Sequence, residues 1–207
     1  MKKVVCFAFS LLMLIAFPLN SYAANWYYAS GNYVSSAPVK PTGLKFYVDY
    51  SAITTYGSNP FTVAFDWNGS YNGHVSAVAQ YPAPSSEYPD HFRINTSGSL
   101  PTGAVGQTFY YTSSGALIGG TYPMDSTSIY KCKISLNSDT SAFNVNGSFS
   151  STYLKKVIRH EIGHVFLLKH PSYLYFSSVM HQGAPASYIS STVTTDDRNN
   201  IKAKWGS

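Results

Sequence analysis

Residues 160–170 read HEIGHVFLLKH and bring three histidines and a glutamate into eleven positions. On a helix, His160 and His164 lie about 40° apart around the axis and about 6 Å apart along it, so both imidazoles can reach one ion. Glu161 sits on the neighbouring edge of that face. It is too close to His160 to be a comfortable third ligand, but it is well placed to reach a water beside the ion, as a general base must. On an unbroken helix His170 would lie about 15 Å along the axis from His160. The chain must therefore turn sharply after His164 if His170 is to join the same ion. Three neutral imidazoles with one position open are the donor set of a catalytic zinc, whereas closed structural sites recruit thiolates. The chain has only two cysteines.

With the third histidine at this spacing, HEIGHVFLLKH resembles the HExxHxxGxxH signature of the metzincin metallopeptidases, departing from it at Leu167, where the family has glycine. SSVMHQG, residues 177–183, resembles the methionine-containing turn beneath the metal of that family, with Met180 as the methionine. FTVAFDWNGSYNGHVSAV is similar to the backing helix and second strand of the matrixin branch, and TTDDRNNIKAKWG to its C-terminal helix.

The resemblance implies an α+β fold: a twisted, mostly parallel mixed β-sheet with a backing helix, an active-site helix and a C-terminal helix. It implies one zinc ion held by His160, His164 and His170, Glu161 as general base, Met180 as a structural floor, and protein or peptide substrates. Gln182 stands where astacins and serralysins place a zinc-binding tyrosine, so no tyrosine switch is expected. His74 and His91 lack the spacing of the second zinc site of vertebrate matrixins and read as surface histidines; His181 is assigned no metal, and calcium is not indicated.

At the start of the chain, Lys2 and Lys3 precede the apolar run VVCFAFSLLMLIAF and the small-residue site Ser21-Tyr22-Ala23. This pattern predicts a signal peptide over 1–23 and a secreted protein. The run is short for a membrane span, so no membrane anchor is expected. Residues 24–207 suffice for one catalytic domain, and a monomer is expected. The formal charge of +5 includes Lys2 and Lys3, and the other basic residues are mostly scattered, which excludes a nucleic-acid protein. Only Cys132 follows the leader, so the core holds without an intramolecular disulfide. Its place in the alternating IYKCKISLN predicts a buried, inert thiol.

Strands are predicted over 44–51, 74–80, 91–96, 105–111 and 129–137, with an exposed loop at YPAPSSEYPD. The resemblance makes 105–111 the edge strand of the cleft, beside which an extended substrate could add. A short helix is expected from an Asn59 cap and Pro60, burying Phe61, Ala64 and Phe65 and ending at Asn68-Gly69. Ser151 or Thr152 should cap the zinc helix, whose buried stripe is Leu154, Ile158, Ile162 and Val165. Thr194 or Thr195 with Asp196 and Asp197 should begin a last helix that turns Ile201 and Trp205 inward. Leu167 is expected in a left-handed conformation at a cost of about 1–2 kcal/mol, with its side chain packed on apolar surface.

Thermolysin-like peptidases take a downstream glutamate as third ligand, and here Glu87 and Glu161 are the only glutamates. Asp196 and Asp197 are conceivable ligands, but capping suits them better. The alternative from another class is a secreted protein- or carbohydrate-binding module with a vestigial HExxH site.

Overall fold

The structure is a computed structural model that describes residues 32–33, 43–70, 74–80, 92–118, 128–171, 177–182 and 189–206. The signal peptide expected over 1–23, the loop expected at YPAPSSEYPD, His91, and the end of the Gly-rich stretch after Ile118 lie outside the described residues, and His74 is described only by its backbone.

The fold is α+β. Ten strands are described: β1 Asn32–Tyr33, β2 Gly43–Asp49, β3 His74–Gln80, β4 Phe92–Ser97, β5 Gly106–Tyr111, β6 Leu117–Ile118, β7 Ser128–Ile129, β8 Lys131–Asn137, β9 Asn144–Val145 and β10 Ser148–Phe149. Six form one sheet in the order β3-β2-β4-β8-β5-β6. β3, β2, β4 and β8 run parallel, and β5 lies antiparallel to β8, so the sheet is mostly parallel and mixed. β6 pairs with β5 only at Tyr110 and Tyr111.

Four α-helices are described: α1 Tyr50–Tyr56, α2 Asn59–Ala64, α3 Ser151–Val165 and α4 Thr195–Trp205. The first was not expected, because the strand predicted over 44–51 ends at Asp49 and Tyr50 and Ser51 open α1. Ile53, Thr54 and Thr55 are poor helix formers. Packing overrides that preference: Ala52 and Tyr56 fall on one helical face and are buried. The hydroxyls of Thr54 and Thr55 donate to carbonyls one turn back, at Tyr50 and Ser51.

α2 begins one residue earlier than expected, after Ser58, and continues as a 3-10 turn over Phe65–Trp67. Its buried positions are Pro60, Val63, Ala64 and Trp67. Phe61 is only partly buried, and Phe65 is 49% exposed, contrary to expectation. Trp67 supplies the larger payload for burial, and the stripe through positions 60, 63, 64 and 67 turns Phe65 outward.

The strand predicted over 129–137 is divided at Tyr130: Ile129 pairs in parallel with β1, and β8 begins at Lys131. Cys132 is 3% exposed within β8, as its alternation predicted. The cap of α3 is Ser150, whose Oγ accepts from the Tyr153 N–H at 3.2 Å, and not Ser151 or Thr152. Leu154, Ile158, Ile162 and Val165 are at most 1% exposed, as the pattern required. α3 lies against β5 through two hydroxyls: Thr108 Oγ1 lies 2.9 Å from the Glu161 carbonyl, and Tyr110 donates to the His164 carbonyl at 2.8 Å.

α4 opens with a capping box between Thr194 and Asp197. Ile201 is fully buried, and the Trp205 indole N–H donates to the Phe166 carbonyl at 2.9 Å. Asp196 is exposed, whereas Asp197 is fully buried and accepts from Thr194 N–H and Oγ1, from Ser178 Oγ at 2.6 Å and from Val179 N–H at 3.2 Å. One carboxylate thus closes a helix end and fastens a second segment of chain to it. Asp197→Ala strands these donors, and a loss of at least about 2 kcal/mol is expected, against less than about 0.5 kcal/mol for Asp196→Ala. Urea unfolding of the two variants checks this, and equal losses would contradict it.

Candidate metal centre

α3 carries His160, Glu161 and His164 through to its C-terminus, where the chain reverses. Leu167 has φ 65°, the left-handed conformation. The Leu167 N–H donates to the His164 carbonyl at 2.8 Å and the Leu168 N–H to the Gly163 carbonyl at 3.0 Å, the paired bonds of a Schellman ending. The leucine side chain is 1% exposed, packed as expected. The reversal brings His170 back against the helix it has just left.

The three imidazoles meet edge to edge. His160 Nε2 lies 3.0 Å from His170 Nε2, and His164 Nε2 lies 3.1 Å from each of the other two. The opposite ring nitrogens determine the tautomers. His160 Nδ1 is 2.8 Å from the Val179 carbonyl and His164 Nδ1 is 2.8 Å from the Leu168 carbonyl. A carbonyl can only accept, so each Nδ1 carries the hydrogen and each Nε2 presents a lone pair. The Gln182 side chain hydrogen-bonds the third ring, that of His170.

Lone pairs converging at about 3 Å repel unless a cation lies among them. Nitrogens bonded to a tetrahedral ion at about 2.0–2.1 Å stand about 3.3–3.4 Å apart, close to the spacing found. Among the described residues, His160, His164 and His170 form the group that could hold a metal ion, and the all-imidazole set suits a divalent transition metal. Neither Asp196 nor Asp197 belongs to it.

Electrostatics fit the same use. Burial pushes His160 down to about 4, the Val179 hydrogen bond opposing it. It holds His164 well below the usual histidine range, helped by its two neighbours, and takes His170 down to about 3. All three rings are neutral at neutral pH, as metal ligands must be. Glu161, 5% exposed, is pushed up to about 7 by burial, against the downward pull of a 2.7 Å hydrogen bond from Thr108 Oγ1 to Oε2.

Met180 is fully buried beneath the helix. A Cβ at Gly163 would overlap Met180 Sδ and lie 3.2 Å from Trp67 Cη2, so the glycine within HEIGH is the space that Met180 and Trp67 occupy. His181, 2% exposed, disfavours protonation of His160 and His170. Of the expected residues, His160, His164 and His170 converge, Met180 packs against the helix at Gly163, and the Glu161 carboxyl is buried against Thr108. Sequence reasoning missed the support from Thr108 and Tyr110, the Gly163 space, and the bonds of Asp197 to the Met180 turn. The capping-box pattern pointed to Asp197 but not to its second partner, and nothing in VGQTFYY distinguishes the hydroxyl of Thr108.

No family model and no curated protein matches the chain. Among solved structures, a chain described as the GM1 bound form of the ECX AB5 holotoxin aligns over 79% of this chain and 80% of its own, at 12% identity and a TM-score of 0.47.

Two outcomes are expected from this geometry. Gly163→Ala should destabilise the protein by about 1–3 kcal/mol through overpacking against Met180 and Trp67, which thermal unfolding would show; unchanged stability would contradict the contact. In metal-stripped protein the three depressed imidazoles bind protons in the unfolded chain below about pH 6.5 but not in the native one, so they withdraw stability as the pH falls towards 4. Glu161, with a raised native value, stabilises below its usual 4.5 and loses that contribution as the pH rises to about 7. Three groups outweigh one, so the melting temperature should rise between pH 4.5 and 6.5; a flat or falling profile would contradict the buried neutral triad.

Proposed function

We propose that the chain is a secreted, zinc-dependent endopeptidase of the metzincin, matrixin-like kind. The observation that carries this reading is the convergence of three Nε2 atoms within 3.0–3.1 Å beside a buried glutamate that is not one of them. Support also comes from the left-handed turn at Leu167, the buried Met180, and an antiparallel strand beside the metal helix in an otherwise parallel run. The apolar leader of the sequence supports secretion.

His160, His164 and His170 would hold the ion. Zinc, when bound, polarises a carbonyl and acidifies water. Glu161 takes the proton of the attacking water as its oxygen bonds the scissile carbonyl carbon, then returns that proton to the amine nitrogen as the C–N bond breaks. Burial favours this cycle by bringing the carboxyl towards neutral pH, where it can both accept and release a proton. The Val179 and Leu168 carbonyls hold two of the ligand rings in the tautomer that leaves Nε2 available. On β5, Gly106–Phe109 pair with β8 on one side, and among the described residues β6 pairs only with Tyr110 and Tyr111 on the other. That edge offers backbone groups to an extended peptide running past Glu161.

Glu161→Gln should keep one zinc per chain and lose peptide hydrolysis by at least about a hundredfold, since general-base catalysis supplies about 10²–10⁴. His170→Ala should lose the zinc as well. Metal content and cleavage of a mixed peptide library measure both. A protein that neither binds zinc nor cleaves peptides would instead be the binding module with a vestigial motif.

A further inference from the structure

β5 presents alternate residues to α3 next to the catalytic glutamate. Thr108, 8% exposed, places its hydroxyl 2.7 Å from Glu161 Oε2 and 2.9 Å from the Glu161 backbone carbonyl. A hydroxyl has a single hydrogen, and an ionised carboxylate competes for it better than a carbonyl already used within the helix. The shorter bond is therefore the one to Oε2. Two residues earlier on the same face, Gly106 leaves room for the other oxygen: a Cβ there would lie 3.3 Å from Oε1, 3.1 Å from Glu161 Cγ and 2.8 Å from Val157 Cγ1.

From this cradle we infer that Thr108 is a positioning residue for the peptidase reaction, holding Oε2 of Glu161 so that Oε1 is the oxygen that takes and returns the proton. The inference rests on the peptidase reading. Physically, the terminal torsion of a glutamate is broad and two-fold, so an untethered carboxylate spends much of its time turned away from the reacting geometry. A charge-assisted bond from a buried strand removes that freedom before substrate arrives. The hydrogen bond of Thr108 is to Glu161, and its loss should therefore alter turnover more than metal or substrate binding.

The test compares zinc-loaded wild type with Thr108→Val, Thr108→Ala and Thr108→Ser on a quenched-fluorescent peptide taken from a mixed library. The Val and Ala variants should lose about 10- to 100-fold in kcat, with KM changed by no more than about twofold and one zinc retained. Thr108→Ser, which restores the hydroxyl, should recover most of the rate. A second readout does not depend on hydrolysis. The chain has two glutamates, Glu87 and Glu161, so protein labelled with ¹³C at the glutamate carboxyl gives two signals, and Glu161→Gln identifies one of them. The Glu161 signal should move in the Val and Ala variants and return in the Ser variant. An unchanged kcat with an unmoved signal would overturn the assignment, as would a Ser variant no better than Val. If the wild type cleaves no peptide the peptidase reading fails, and the carboxyl signal alone decides whether Thr108 holds Glu161.

Discussion

The site depends on a reversal of the chain at a residue poorly suited to make it. Leucine at φ 65° costs about 1–2 kcal/mol relative to an ordinary helical conformation. Burying a leucine side chain is worth about 1.5–3 kcal/mol, and Leu167 is 1% exposed, flanked by Phe166 and Leu168, which are as well buried. The two backbone bonds of the Schellman ending satisfy carbonyls that the helix would otherwise leave open. The strain is thus offset by local burial and hydrogen bonding, and the turn brings His170 to the other imidazoles.

Around that reversal, three segments distant in sequence hold one helix. From the sheet, Thr108 and Tyr110 reach the carbonyls of Glu161 and His164, residues three apart that sit on one edge of α3. From below, the Ser178–Met180 turn gives a carbonyl to His160 and a thioether into the space at Gly163. That turn is itself tied to α4 through Asp197. The C-terminal helix therefore supports the His160 ring through the Asp197 carboxylate and the Val179 backbone. Support of this kind orients the rings whose Nε2 atoms lie 3.0–3.1 Å apart.

Much of this was legible in the sequence wherever a side-chain spacing carried the information. The i, i+4 histidines, the buried stripe of α3 and the acidic start of α4 each follow from helical periodicity, and all three stand in the structure. Expectation failed where packing outvoted local preference. α1 carries three β-branched residues and opens with two that read as strand, and it is helical because Ala52 and Tyr56 bury together. Phe65 looked like core and is exposed because Trp67 claims the inward direction. The strand through Tyr130 read as continuous, since alternation does not reveal that Ile129 pairs with β1 while Lys131 begins a different sheet. The supporting residues of the site were hidden for a related reason. A threonine in a strand and a glycine in a helix carry no signal of what stands opposite them until the register of β5 against α3 is known.

The central claim is that one ion sits among His160, His164 and His170 with a coordination position left open. X-ray absorption at the zinc edge of protein loaded with one equivalent of zinc tests this most directly. The account predicts three imidazole nitrogens at about 2.0–2.1 Å and one further light ligand, with one imidazole lost from the spectrum in His170→Ala. A spectrum with only two imidazoles, or one left unchanged by His170→Ala, would contradict it.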